Sequence, residues 1–593
     1  MSVLASGMVA SAYAQEADQQ PDTQQTDNPE ESATSKETES EEGNGELVTA
    51  EDASEAGNTE KTESKPEEVT TFDVTEIRVR GNTLLEKMDV ESVIYPFLGK
   101  DKTIDDIEAA RKALEQRYRI AGFPTVLVDI PEQDVDNGLV VLKVTEARVE
   151  QIKITGADYY ALSKIREKVP ALQEGQTIYI PAVNEQIAMF NATSGDRSVT
   201  PILRPGRIPG TMEVELKVKD EAPLHGKVFA NDRHSASSTR SRVGASARYD
   251  NLWQKEHSLS LQYQTAPEEP DEARIWVATY LASVPESQST LAFYGVKSDS
   301  DIAATETIDV IGRGNILGAR FIHSFAGATG MSHNALAGMD YKDFKETTDV
   351  DGLPTDTPIE YYNFITQYST TKTADRYESN FNININFGLH ALNDKRLTCA
   401  YQATDNNGDP VIKVGELTQF ECKRVDAKPN YVYLRSEFDY NWHVGYGIDL
   451  YMSAGMQIAD SPLISNEQFS IGGASSIRGY YESQVLGDDG VAGTLEIRSP
   501  SIGKYLHKNI NEFRFFLFAD RGAVRNRSKA AGEAGKWFLG SAGVGMNLTA
   551  WDAMQFDLAW AYVLEDSDPG TDDAAPAVEK EDSRFHLSLE YKF

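Results

Sequence analysis

From Gly226 to Phe593 the chain is written in short runs in which every second residue is apolar, separated by polar turns. Asn380-Phe381-Asn382-Ile383-Asn384-Ile385-Asn386-Phe387 and Phe585-His586-Leu587-Ser588-Leu589-Glu590-Tyr591-Lys592-Phe593 are clear examples. A period of two puts successive side chains on opposite faces of a strand. Sixteen runs begin near Gly226, Arg242, His257, Ala273, Ser289, Asn315, Ser332, Glu360, Tyr377, Asn430, Tyr446, Gly493, Glu512, Gly535, Met554 and Ser583. A soluble sandwich alternates too, but its solvent face is richer in charge. Alternation over roughly 370 residues with an even strand count suits a cylinder with lipid outside and water inside. No stretch approaches the ~20 consecutive apolar residues of a membrane helix. A closed barrel is the other fold that satisfies every backbone group in lipid. Residues 223–593 are therefore predicted to form a transmembrane antiparallel β-barrel of 16 strands. Its long loops (Asp301–Gly314, Tyr341–Ile359, Ala391–Pro429, Leu564–Asp582) are expected to face outward.

Composition narrows the function. The net charge of −36 argues against a nucleic-acid partner, because phosphate binding needs basic surface. Nine histidines are scattered without HExxH spacing, and neither a Gly-x-Ser-x-Gly elbow nor a GxxxxGKS phosphate loop occurs. No catalytic residue, metal or cofactor is expected. The two cysteines, Cys399 and Cys422, flank a polar insertion and lack neighbouring metal ligands. In an oxidising compartment they are expected to close one loop, contributing roughly 3 kcal/mol by the chain-entropy argument.

Export is predicted from the N-terminus. Val3 to Ala10 is apolar, and Ala12-Tyr13-Ala14 is a small-x-small cleavage site before Gln15, so residues 1–14 read as a secretory signal. Its basic leader residues are missing, which predicts a start inside a longer signal. Residues 15–70 are Glu, Asp, Thr, Ser, Gln and Asn with almost no branched apolar or aromatic side chains. Such a segment buries too little surface to offset its conformational entropy and is expected to be a disordered acidic linker.

A repeat follows. Val74-Thr75-Glu76-Ile77-Arg78-Val79-Arg80-Gly81-Asn82 is echoed by Val149-Glu150-Gln151-Ile152-Lys153-Ile154-Thr155-Gly156-Ala157, and Leu139 to Ala147 by Met212 to Asp220. The offset is about 75 residues both times, right for a small domain. Met88 to Leu98 and Ile104 to Ala121 carry helical spacing; Phe123 to Ile130 and Leu139 to Thr145 alternate as strands. The second copy is clear at both ends but polar and Pro/Gly-rich from Asn191 to Gly210. This βααββ plan resembles the POTRA domain, with Gly81-Asn82-Thr83-Leu84-Leu85 and Tyr118-Arg119-Ile120-Ala121-Gly122-Phe123 matching best. POTRA 1 is placed at 72–147 and POTRA 2 at 148–222, making the fold class α+β POTRA domains followed by the barrel.

Between two of the runs lies Gln468-Phe469-Ser470-Ile471-Gly472-Gly473-Ala474-Ser475-Ser476-Ile477-Arg478-Gly479-Tyr480-Tyr481. This loop carries one unavoidable charge, Arg478, suited to a planar contact with a carboxylate. The expected partner is Asp520 in Phe518-Ala519-Asp520-Arg521-Gly522, where Phe518, Asp520 and Gly522 share a strand face. The two motifs resemble the Omp85 superfamily of outer-membrane barrels. That resemblance implies a loop, 465–490, folded into the lumen, with Arg478, Gly479 and Tyr480 docked on Phe518, Asp520 and Gly522. The final Phe593, with Tyr591 at period two, is similar to the closing-strand signal of such barrels. Pro131-Glu132-Gln133 through Gly138 is similar to the turn of two-partner secretion transporters of the haemolysin secretion/activation type.

That resemblance implies translocation of an unfolded exoprotein from periplasm to cell surface, with POTRA domains capturing it and the barrel as conduit. The alternative is an outer-membrane protein assembly factor of the same superfamily. The implied partners are a β-helical secreted exoprotein, outer-membrane lipid and the barrel assembly machinery. The implied location is the outer membrane of a Gram-negative bacterium, POTRA domains in the periplasm. Capture is expected at strand edges near Ile152 and Ile154 or near Val214, Leu216 and Val218. Many such transporters begin with a plug helix, and residues 15–70 show no amphipathic pattern for one.

Overall fold

The computed structural model describes residues 70–593, apart from 285–286, 301, 305–308, 346, 351–352, 405–409, 529–534 and 568–577. The signal, nearly all of the acidic linker and the question of a plug helix lie outside the described residues. Two compact units result, one holding both βααββ modules and one holding the barrel.

In the first module, Glu76–Arg80 pairs in parallel with Leu139–Glu146, which pairs antiparallel with Val126–Asp129 on its other side. The helix Ile104–Ile120 packs Ile107, Ala110, Leu114 and Tyr118 into the core at helical spacing. A reciprocal bond between Thr103 and Asp106 starts it. The two motifs that marked this module meet: the Tyr118 hydroxyl donates to Asn82 Oδ1 at 2.5 Å. The repeat has a structural reason as well. A Cβ on Gly81 would lie 2.3 Å from the Val144 carbonyl oxygen, and one on Gly156 would lie 2.3 Å from that of Val218. The first strand of each copy thus crosses its central strand too closely for any side chain.

The Pro131-Glu132-Gln133 turn also has a physical role. Where strand Val126–Asp129 ends, the Gln133 side chain takes over its pairing. Its Nε2 donates to the Val141 carbonyl at 2.9 Å, and its Oε1 accepts from the Val141 N–H at 2.7 Å. One amide side chain thereby stands in for a residue of the strand.

The second module corrects one expectation. Its sheet order is Arg148–Thr155, Thr211–Asp220, Arg197–Pro205. Thr211–Asp220 is therefore central, with both edges paired, and Val214, Leu216 and Val218 are buried in the core. Those three do not border a free edge. Ile152 also points into the core and Ile154 is half-buried, although their strand is an outer one. The polar stretch after Asn191 holds the other outer strand, with Pro201 inside it. Proline is tolerated there because an outer strand need not donate on both sides.

The barrel strands, numbered from the N-terminus, are β1 (Leu224–Asn231), β2 (Arg242–Leu252), β3 (His257–Thr265), β4 (Arg274–Val284), β5 (Ser289–Ser298), β6 (Gly314–Ala326), β7 (Met331–Phe344), β8 (Ile359–Ala374), β9 (Tyr377–Gly388), β10 (Val432–Gly445), β11 (Ile448–Ala459), β12 (Asp489–Arg498), β13 (Ile510–Arg525), β14 (Lys536–Ala550), β15 (Met554–Val563) and β16 (Ser583–Lys592). All pairings are antiparallel, and β16 on β1 closes the cylinder. At that seam Gly226 and Phe593 exchange backbone bonds of 2.8 and 2.9 Å. The Phe593 ring lies where a Cβ on Gly226 would go, and Tyr591 pairs with Val228. Links at one end are as short as 375–376 and 446–447; those at the other include 389–431 and 460–488.

Outward positions carry large apolar side chains at period two, among them Trp276, Phe293, Leu317, Phe321, Ile385, Leu495, Leu517 and Leu587. In water so continuous an apolar surface would drive association; in lipid it is satisfied. Among the described residues no helix is long and apolar enough to cross a membrane.

The Gln133 bridge makes a direct prediction. Gln133→Ala in the full-length protein is expected to remove the acceptor of the Val141 amide, weakening local closure by about 1–3 kcal/mol. Hydrogen exchange at Val141 should then accelerate at least severalfold; unchanged protection would show that the amide side chain contributes nothing.

Candidate functional site

Strand β13 shows how the site is built. Phe515 and Leu517 are 50% and 59% exposed, whereas Phe516, Phe518 and Asp520 are 7%, 5% and 3% exposed. The even-numbered residues therefore face the bore. The loop between β11 and β12 turns into that bore, and its tip sets Arg478 against this face.

The guanidinium is bidentate on Asp520, Nε to Oδ2 at 2.8 Å and Nη2 to Oδ1 at 2.7 Å. The Arg478 backbone N–H adds a third bond to Oδ2 at 3.0 Å. The remaining arm, Nη1, donates to Glu496 Oε1 of β12 at 2.7 Å, and Arg498 holds the other oxygen of Glu496. The guanidinium carbon stacks 3.5 Å from the centre of the Phe518 ring. Two cations thus balance two carboxylates, with the Asp520 side chain fully buried.

The neighbours of Arg478 are equally committed. Gly479 has φ +95°, a region L side chains rarely adopt, and its N–H donates to His586 Nε2 at 2.9 Å. Tyr480 is fully buried; its hydroxyl lies 2.6 Å from the Glu565 carbonyl oxygen and accepts from the Gly540 N–H at 3.2 Å. Gly522 supplies space, since a Cβ there would press on Ile471 and Ile477 of the loop at 3.2 Å. All six residues expected at this site are brought together.

Both feet of the loop are anchored too. Glu467 forms a buried ion pair with Lys342 of β7 and accepts from the hydroxyls of Tyr361 (2.5 Å) and Tyr433 (2.7 Å). At the other foot, buried Asp488 takes both arms of Arg424, at 2.5 and 3.0 Å, and the Leu463 N–H at 2.8 Å. Arg424 belongs to the loop 389–431, which Cys399 and Cys422 join covalently. From that loop Phe420 inserts between Tyr361 and Tyr431, with ring centres 5.5 and 5.9 Å away. A sixteen-stranded cylinder leaves an aqueous channel when empty. Here the channel holds a loop fixed at its tip and at both feet.

Residues 210–548, more than half of the chain, match the family described as haemolysin secretion/activation protein ShlB/FhaC/HecB, and residues 72–147 match the POTRA domain of ShlB type. The chain belongs to the ShlB/FhaC/HecB family. Among curated relatives, the outer membrane transporter CdiB of Dickeya dadantii is 25% identical over 182 residues, 31% of this chain and 32% of that protein. The match thus spans about a third of that relative's length. Among solved structures, CdiB from Escherichia coli superposes with a TM-score of 0.54 at 17% identity, over 91% of this chain and 93% of that one. BamA from Haemophilus ducreyi lacking POTRA domains 1–3 gives 0.54 at 14% identity, over 88% and 100%. At these identities the two structures speak to fold alone. This ShlB/FhaC/HecB member is an outer-membrane protein with its ShlB-type POTRA domain in the periplasm.

In this family member, motif reading missed Glu496, His586, Glu467, Lys342, Asp488 and Arg424. Lys342 and Glu467 are 125 positions apart, beyond the reach of any local pattern. A signal existed nonetheless: Asp340, Lys342 and Glu496 are charged residues at inward parity in their strands, where an unpaired buried charge would be costly.

Two outcomes are expected. Arg478→Ala leaves Asp520 and Glu496 facing each other without their shared cation and lowers barrel stability by about 3–5 kcal/mol, read as the urea midpoint of the folded-barrel gel shift. Adding Asp520→Asn should recover part of that loss; an additive double variant would show that the two do not interact. Glu467→Gln should free one foot and make protease cleavage within 460–488 severalfold faster while the barrel stays folded.

Proposed function

We propose that this chain carries an unfolded exoprotein from the periplasm through the outer membrane to the cell surface, its POTRA domains receiving the substrate and its barrel serving as conduit. One observation carries the reading: the bore of a closed cylinder is filled by a loop of the chain itself, held at its tip and both feet through ion pairs and hydrogen bonds that can be exchanged for others, beside apolar contacts such as Ile471 and Ile477. The name outer membrane transporter given to the CdiB relatives supports it. The substrate arrives extended, with main-chain groups unpaired, and a POTRA sheet edge takes it by adding a strand. The outer strands Arg148–Thr155 and Arg197–Pro205 are the edges available for this in the second module. At Val149 the first of them is already bonded to Gly175 and Gln176.

The Arg478–Asp520–Glu496 cluster acts as a lock that keeps the loop inside the bore and the barrel in its working shape. Transport uses no catalysis and no cofactor; folding of the exoprotein outside the cell supplies the driving force. The partner is a secreted protein of β-helical type, and the barrel assembly machinery inserts the chain into the membrane.

Deleting the gene should remove one large protein from the medium while other outer-membrane barrels keep their abundance. Depletion of many barrels would instead support an assembly factor. Arg478→Ala should reach the membrane at near-normal levels yet secrete at least tenfold less; undiminished secretion would remove the role given to the lock.

A further inference from the structure

The inner wall of β8 and β9 carries groups that the loop does not use. Asn380, Asn382, Asn384 and Asn386 stand at period two on β9 and face the bore, the last three only 6%, 2% and 3% exposed. The register sets Gln367 of β8 directly against Asn384. Part of this ladder is satisfied within the wall. Tyr431 donates to Asn363 Oδ1 at 3.0 Å, Asn363 to Asn386 Oδ1 at 3.1 Å, and Asn386 to Asn384 Oδ1 at 2.6 Å. There the relay stops. Asn384 Nδ2, Gln367 Nε2 and Asn382 Oδ1 are buried and have no partner among the described residues.

Buried polar atoms without partners are rare, because each forfeits hydration and receives nothing in return. Here two donors sit on one directly paired couple, and an acceptor follows two residues along β9, about 6.8 Å away. An extended polypeptide offers its own carbonyl and N–H groups with that same two-residue repeat. Asn and Gln are uncharged and serve as both donor and acceptor, so they hold a main chain without selecting the charge of its side chains.

We propose that this amide patch is a track on which the main chain of a threaded polypeptide docks by hydrogen bonding, its ligand being extended backbone of any neutral or mixed sequence. The proposal rests on the conduit reading above and goes beyond it by naming where inside the bore the passenger is held.

The test uses the full-length protein in planar bilayers. The probes are a neutral glycine–serine peptide long enough to span the bore and polysarcosine of equal length, whose N-methylated backbone has no N–H. The peptide should block the current for roughly five to thirty times longer in the wild type than in Asn382→Leu/Asn384→Leu. Asn384→Ser, which disturbs packing less, should fall between them, and all three proteins should show the same open current and folded-barrel gel shift. Polysarcosine keeps its carbonyls for the two donors but has no N–H for Asn382 Oδ1, so it should dwell for less time than the peptide on the wild type and respond less to the double substitution. Equal peptide dwell times on wild type and variants, or equal dwell of peptide and polysarcosine on the wild type, would overturn the track and assign the amides to bore water. If neither probe blocks the wild type, the conduit reading fails with it, an outcome distinct from equal dwell times.

Discussion

A guanidinium held between two carboxylates inside the bore is the interaction on which the rest of the barrel's interior depends. Each of these groups alone would be expensive to remove from water; together they neutralise one another and fill one another's hydrogen-bonding positions. Because Asp520 and Glu496 lie on adjacent strands, β13 and β12, Arg478 also ties two staves of the cylinder to each other. The positive φ at Gly479, the space left by Gly522 and the buried Tyr480 all follow from bringing that cation to that wall. Such a contact stabilises without being permanent, since an incoming polar chain could replace its partners one by one.

The anchors at Glu467 and Asp488 give the loop a geometry that a tip contact alone would not. A segment held at one point pivots; one held at three points is fixed across the opening. The walls involved differ, β7, β8 and β10 at one foot and β12 and β13 at the tip, so the loop spans the cylinder. Moving it out of the way requires breaking contacts on both sides, which connects the occupancy of the channel to the shape of its wall.

Much of this architecture was legible in the sequence because its signals are local. Period-two alternation marks a strand wherever one face meets lipid, and sixteen such runs lie in the order that forms the closed cylinder. The Arg478 and Asp520 motifs are each short and sit in their expected strands and loop. What could not be read is nonlocal. That Thr211–Asp220 is central depends on Arg197–Pro205 lying beside it, and that strand hides behind a proline and polar residues. Val214, Leu216 and Val218 look the same locally whether their strand is inner or outer. The Lys342–Glu467 pair likewise emerges only when the cylinder closes and brings β7 to the loop.

The covalent link between Cys399 and Cys422 has an effect beyond its own loop. Arg424 follows two residues after the second cysteine, so the crosslink shortens the tether on which that guanidinium can wander. A shorter tether raises its effective concentration beside Asp488. The oxidation state of the 389–431 loop therefore tunes how firmly the loop between β11 and β12 is moored, and a reducing environment would loosen that mooring.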